Sequence, residues 1–116
     1  PMPLGFEVRA FTREALIKTA QLTEDPIDLV HGSYYIYQHP ETFKIAQVTP
    51  SLPLHWIKGR FTVDEPGDYA LAYHIYQALY PKNPDFDIQD IMTYLDKHPE
   101  LMNLNQTVRQ KKPEEA

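Results

Sequence analysis

Arg60-Phe61-Thr62-Val63-Asp64-Glu65-Pro66-Gly67-Asp68-Tyr69 is the stretch on which the reading of the fold turns. Arg60 to Val63 predicts a short strand, Asp64 an acidic turn, and Pro66 onward the start of an apolar helix. A carboxylate lifted from a strand end, with a helix N-terminus behind it, is a common place for a group facing a metal or a phosphate. Magnesium takes one or two protein carboxylates and fills its other positions with water and phosphate oxygens. Asp64 in that role would help neutralise charge developing in nucleotidyl transfer. In the other reading Asp64 caps the helix, and Glu65 and Asp68 complement its dipole. The local pattern alone favours the cap, although one carboxylate can do both.

The helix behind this turn carries Tyr69, Leu71, Ala72, Tyr73, Ile75, Tyr76, Leu79 and Tyr80 over most of its circumference, which predicts the most buried helix of the chain. Upstream, His55-Trp56-Ile57 reads as extended, with a break at Gly59, and Phe43 to Val48 reads as another strand. Asp25-Pro26-Ile27-Asp28 starts a helix whose Ile27, Val30, His31, Tyr34, Tyr35 and Gln38 share one face until Pro40. Gly32 within it costs about 1 kcal/mol against alanine, which implies a close neighbour. Thr12 caps a first helix that ends near Gln21, and Phe6 to Phe11 before it is extended.

Downstream, Asp87 and Asp90 form a capping-box pattern, Ile88, Ile91 and Leu95 make an inner stripe, and Pro99 closes the helix. Residues 1–105 thus form the structured region and 106–116 a polar, frayed tail. No internal repeat is read. Strands alternating with helices indicate an α/β class, and so small a strand set looks like part of a larger sheet.

Composition narrows the function. Of 116 residues, 42% are hydrophobic and 23% charged, as in a globular domain rather than a disordered chain. No apolar run approaches the ~20 residues of a membrane span, and charged Glu7, Arg9, Arg13 and Glu14 interrupt any leader-like start. Cytoplasm is the expected location. The net charge of −5 argues against a nucleic-acid surface, and the bases of the last third, Lys82, Lys97, Arg109, Lys111 and Lys112, read as solvated. The absence of cysteine removes disulfides and thiol nucleophiles.

Of His31, His39, His55, His74 and His98, none forms a tight metal pair. His39 and His98 each precede a proline at a helix end, and His31 reads as a hydrogen-bonded core histidine. The glycines at 5, 32, 59 and 67 make no phosphate cradle, and Ser33 and Ser51 lack a nucleophile setting. No catalytic residue is assigned.

Several motifs occur together in a recognisable order. They are Pro3 through Thr12 (PLGFEVRAFT), His31 through Pro40 (HGSYYIYQHP), Thr62 through Tyr69 (TVDEPGDY), Tyr80 through Phe86 (YPKNPDF) and His98-Pro99-Glu100-Leu101. In this order the chain resembles the C-terminal half of cytidylyltransferase-like sugar nucleotidyltransferases. The nearest branch is that of spore-coat polysaccharide biosynthesis, with the CMP-sialate and CMP-Kdo synthetases as relatives. The resemblance implies a partial nucleotide-diphosphosugar-transferase-like sheet with flanking helices, the N-terminal nucleotide-binding half being absent. It implies transfer of CMP from CTP to an acidic sugar with release of pyrophosphate, magnesium as cofactor in the complete enzyme, and a homodimer. By the same resemblance Asp64 corresponds to a magnesium-binding aspartate, and Glu7 and His31 fall at substrate-binding positions. Arg9, Leu29 and Val30 depart from the family pattern and put the acceptor-sugar side in doubt. The chain alone is then expected to be inactive, and the alternative is a non-catalytic binding or dimerisation module.

Overall fold

Polar caps start three of the helices where the sequence places them. In the computed structural model, which describes residues 2–50 and 58–115, Thr12 Oγ1 accepts from the Ala15 amide at 3.1 Å and opens α1 (Arg13–Leu22). Asp25 accepts from the Ile27 amide at 2.9 Å and opens α2 (Pro26–Val30). After α3 (Tyr34–Gln38) and α4 (Pro66–Leu79) comes α5 (Ile88–Lys97). There Asp87 and Asp90 exchange side-chain-to-amide bonds of 3.0 Å in a capping box. A 3-10 segment, Pro99–Leu104, follows α5, and Pro113–Glu115 forms another short 3-10 turn.

The expected α/β sheet is overturned. Among the described residues there is no strand ladder, only a single parallel bridge between Leu4 and Arg60. It consists of Leu4 N donating to Gly59 O at 3.2 Å and Phe61 N donating to Leu4 O at 2.7 Å. The segments from 6 to 11 and 43 to 48 are non-helical as expected, but among the described residues no backbone partner runs beside them. Apolar spacing favours an extended backbone; a strand also needs a neighbouring edge to take its amides. The partial nucleotide-diphosphosugar-transferase-like sheet is therefore absent from the described residues, and the elements are helices joined by extended connections. The His55–Trp56–Ile57 expectation lies outside the described residues.

The single second helix also divides. The chain leaves helical geometry at His31, and Tyr34 N bonds His31 O at 2.6 Å across the break. Gly32 marks that break rather than a tight contact, since among the described residues a methyl group there would meet only Leu16 Cδ1 at 3.8 Å.

Two compact units result: Pro1–Glu7 with Thr49–Arg109, and Val8–Val48 with Gln110–Ala116. In the first, α4, α5 and the 3-10 segment pack around buried Leu71, Ile75 and Leu95, with Phe61, Phe86, Ile91 and Met102 at the margin. Gly67 is required by a close approach, because a Cβ there would collide with the Leu104 carbonyl. Gly5 has φ +99°, and its added Cβ would come within 2.6 Å of the Phe61 carbonyl carbon. Glycine alone serves both demands, with no Cβ penalty.

α4 is less enclosed than its composition suggests. Only Asp68, Leu71 and Ile75 are buried on it, while Tyr69, Tyr73, Tyr76 and Tyr80 are each at least half exposed. Their spacing of four, three and four residues puts them on one stripe. The helix is amphipathic in shape but aromatic on its outer face.

In the second unit α1 and α3 pack around the buried residues Thr19 and Phe43, with Lys18 Nζ 5.3 Å from the Phe43 ring centroid. α3 and α5 end alike, in a pattern of which the sequence reading noted only the histidine before a proline: Tyr35-Ile36-Tyr37-Gln38-His39-Pro40-Glu41 and Tyr94-Leu95-Asp96-Lys97-His98-Pro99-Glu100. In each, the histidine is the C-cap. The tyrosine four residues earlier lies against it, with centroids 4.0 Å and 4.7 Å apart. The glutamate two residues later faces its Nδ1 at 2.8 Å and 3.6 Å.

Candidate functional site

The corner between the Leu4–Arg60 bridge and α4 is where the structure concentrates charge inside the protein. Arg60 enters it from the extended segment and Asp68 from the first turn of α4. Asn105 comes from the end of the 3-10 segment. All three are buried, Asp68 and Asn105 to 2% exposure. Arg60 Nε donates to Asp68 Oδ1 at 2.9 Å, and Asn105 Nδ2 donates to the same oxygen at 2.8 Å. Asp68 Oδ2 accepts the amides of Asp64 at 3.1 Å and Glu65 at 3.0 Å, so both carboxylate oxygens are saturated. Asn105 Nδ2 also reaches Arg60 O at 2.9 Å, which ties the segment to the far end of the unit.

Burial alone would push the Asp68 carboxyl up. The bonds from Arg60, Asn105 and the Asp64 and Glu65 amides outweigh it and hold its pKa at about 2, below the ordinary 3.8. Arg60 is raised in turn, chiefly by its bond to Asp68. A carboxyl whose folded pKa lies below its unfolded value contributes stability above the unfolded value and loses it as pH falls through the folded one. Between pH 3.8 and about 2 the first unit should therefore lose on the order of 2 kcal/mol from this group. Urea unfolding followed by circular dichroism across that range checks it: the loss should largely disappear in Asp68→Asn.

Asp64 sits at the mouth of this corner. Its Oδ2 accepts from Arg60 at 2.8 Å, while its side chain is 62% exposed. It is not the helix cap; Glu65 holds the N-cap position, and Asp68 accepts the amides of both Asp64 and Glu65. Glu7 belongs to the same unit, where its carboxylate accepts the Gly5 amide at 2.6 Å, and no hydrogen bond links it to the corner. His31 belongs to the other unit as the C-cap of α2, its amide on Ile27 O at 3.0 Å and its ring 6.4 Å from that of Tyr34. It is not a residue of a continuous inner stripe. Of the departures, Arg9 lies over the Tyr37 ring at 4.4 Å, and Leu29 and Val30 are 56% and 75% exposed.

The residues present do not by themselves fit a magnesium site. Among the described residues no three His, Asp or Glu side chains converge, and Asp64 already shares its charge with Arg60. Sequence reasoning missed Arg60 and Asn105 altogether and gave Asp68 only a dipole role. The third-position acid after Glu65 was a local signal for Asp68; nothing local connects it to Asn105, 37 residues away.

No helix among the described residues is long and apolar enough to cross a membrane. No family model matches the chain, and no solved structure matches it. An uncharacterized protein of Methanocaldococcus jannaschii is 32% identical over 108 residues, which make up 93% of this chain and 44% of that protein. The chain thus spans less than half the length of the relative it matches.

Proposed function

We propose that the chain is the C-terminal part of a cytoplasmic nucleotidyltransferase that moves CMP from CTP to an acidic sugar for surface polysaccharide biosynthesis. The ordered motifs support this reading, and so does a relative more than twice as long as the matched region. The observation that carries it is Asp64, an exposed carboxylate at the mouth of a fully bonded corner. Arg60 fixes Asp64, and Asp68 and Asn105 fix Arg60, so that Asp64 is presented with little freedom to lose. Glu7 and His31 are the residues the reading gives to substrate. Magnesium and CTP belong to the longer protein, since one carboxylate does not make a metal site.

The test is Asp64→Asn in the full-length protein, read as CTP-dependent pyrophosphate release with acidic sugars. Turnover should fall about a hundredfold or more, while stability changes by less than ~1 kcal/mol, as for an exposed ion pair. Turnover retained in that variant would leave Asp64 only a structural partner of Arg60.

A non-catalytic assembly module is the second reading, and the outer face of α4 favours it. Tyr69, Tyr73, Tyr76 and Tyr80 lie there, and the only charged residue of the helix, Asp68, is buried. Interfaces are enriched in tyrosine and depleted of charge, and such a face suits a homodimer.

A further inference from the structure

An open hollow in the second unit takes no part in the corner around Asp64. It has a volume of about 720 Å³, within the range of small-molecule sites. Its walls are the extended segments on either side of α1 and α3, with Phe11, Ile36 and Ile45 among the apolar side chains. Arg9, Lys44 and the ring of Tyr37 also line it. Among the described residues the lining includes no aspartate or glutamate, in a chain whose net charge is −5. Arg9 is held over Tyr37, its guanidinium carbon 4.4 Å from the ring centroid. A guanidinium laid on an aromatic face keeps its edge donors for a second partner, and those donors match a carboxylate or sulfonate in pairs.

We propose that this hollow binds a small organic anion with an apolar body, its acidic group between Arg9 and Lys44 and its body against Phe11, Ile36 and Ile45. Charge complementarity selects the anion, and the apolar walls disfavour a polyhydroxylated one. The site is therefore distinct in chemistry from the acidic sugar of the proposed transfer, and it does not rest on that reading.

Fluorescence titration of the full chain with anilinonaphthalene sulfonate and with uncharged phenylnaphthylamine separates charge from apolar burial. The sulfonate should bind one-to-one and about tenfold tighter than the amine, with the difference shrinking in high salt. Arg9→Gln with Lys44→Gln should remove that preference while the far-ultraviolet circular dichroism stays unchanged. On the unaltered chain, amide shifts induced by the sulfonate should concentrate at residues 8–12 and 43–48. Equal binding of the two dyes, a preference that survives the double substitution, or shifts centred on α4 and α5 would each overturn the proposal. Loss of CMP transfer in an Asp64 variant leaves all three readouts unaffected.

Discussion

Asp68→Ala is expected to destabilise the first unit by about 3–5 kcal/mol, the range for removing one partner of a buried ion pair. The reason is the number of donors that end on one carboxylate. Arg60 Nε and Asn105 Nδ2 lose an acceptor in buried positions, and the half-buried amides of Asp64 and Glu65 lose theirs as well. Each such loss in the interior costs more than an intact bond contributes. Asp64 supplies the control, because it binds the same guanidinium through a side chain that is 62% exposed, against 0% for Asp68. Urea unfolding of the two alanine variants should separate them by at least about 2 kcal/mol. Equal losses would mean that burial does not set the strength of this corner.

Leu95→Ala should be nearly as damaging, at about 2–5 kcal/mol. Leu95 is fully buried at 0% exposure, on the inner face of α5 against Leu71 and Ile75. Truncation there leaves a cavity at the centre of the cluster, between Leu71 and Ile75. Ile88 and Ile91, on the same helix but only partly buried, should cost less on truncation. Thermal unfolding monitored on tyrosine fluorescence gives the ranking, and a Leu95→Ala loss no larger than that of Ile88→Ala would place the core elsewhere. For domains stabilised by about 5–15 kcal/mol, either Asp68→Ala or Leu95→Ala alone removes a large share.

Local chemistry was legible in the sequence, and pairing was not. Thr12, Asp25 and Asp87 cap the helices they were expected to cap, since a cap needs only a side-chain oxygen and amides two or three residues on. Of the expected inner stripe of α5, Leu95 is buried and Ile91 packs against the core, Ile88 is only partly buried, and Met92, which the stripe left out, is buried. Phe43 to Val48 was read as a strand because its residues favour extension, but extension says nothing about which edge lies beside it, and no edge does among the described residues. The same limit applies to the corner. Asp64 stood out as an acid in a turn, whereas Arg60 and Asn105 act only through partners brought close by folding. The tyrosines of α4 misled in the opposite sense: they look apolar in a periodicity count, but their hydroxyls tolerate water.

The two Tyr-x-x-x-His-Pro-Glu helix ends bear on how the chain organises itself in time. Everything that stops α3 at His39 and α5 at His98 lies within seven residues: the ring behind, the proline that cannot continue the helix, and the glutamate ahead. Contacts so close in sequence close within microseconds or less, before distant segments meet. Helix length is thus decided ahead of packing, and the slower search for Asn105 by Asp68 starts from helices that already end where they must.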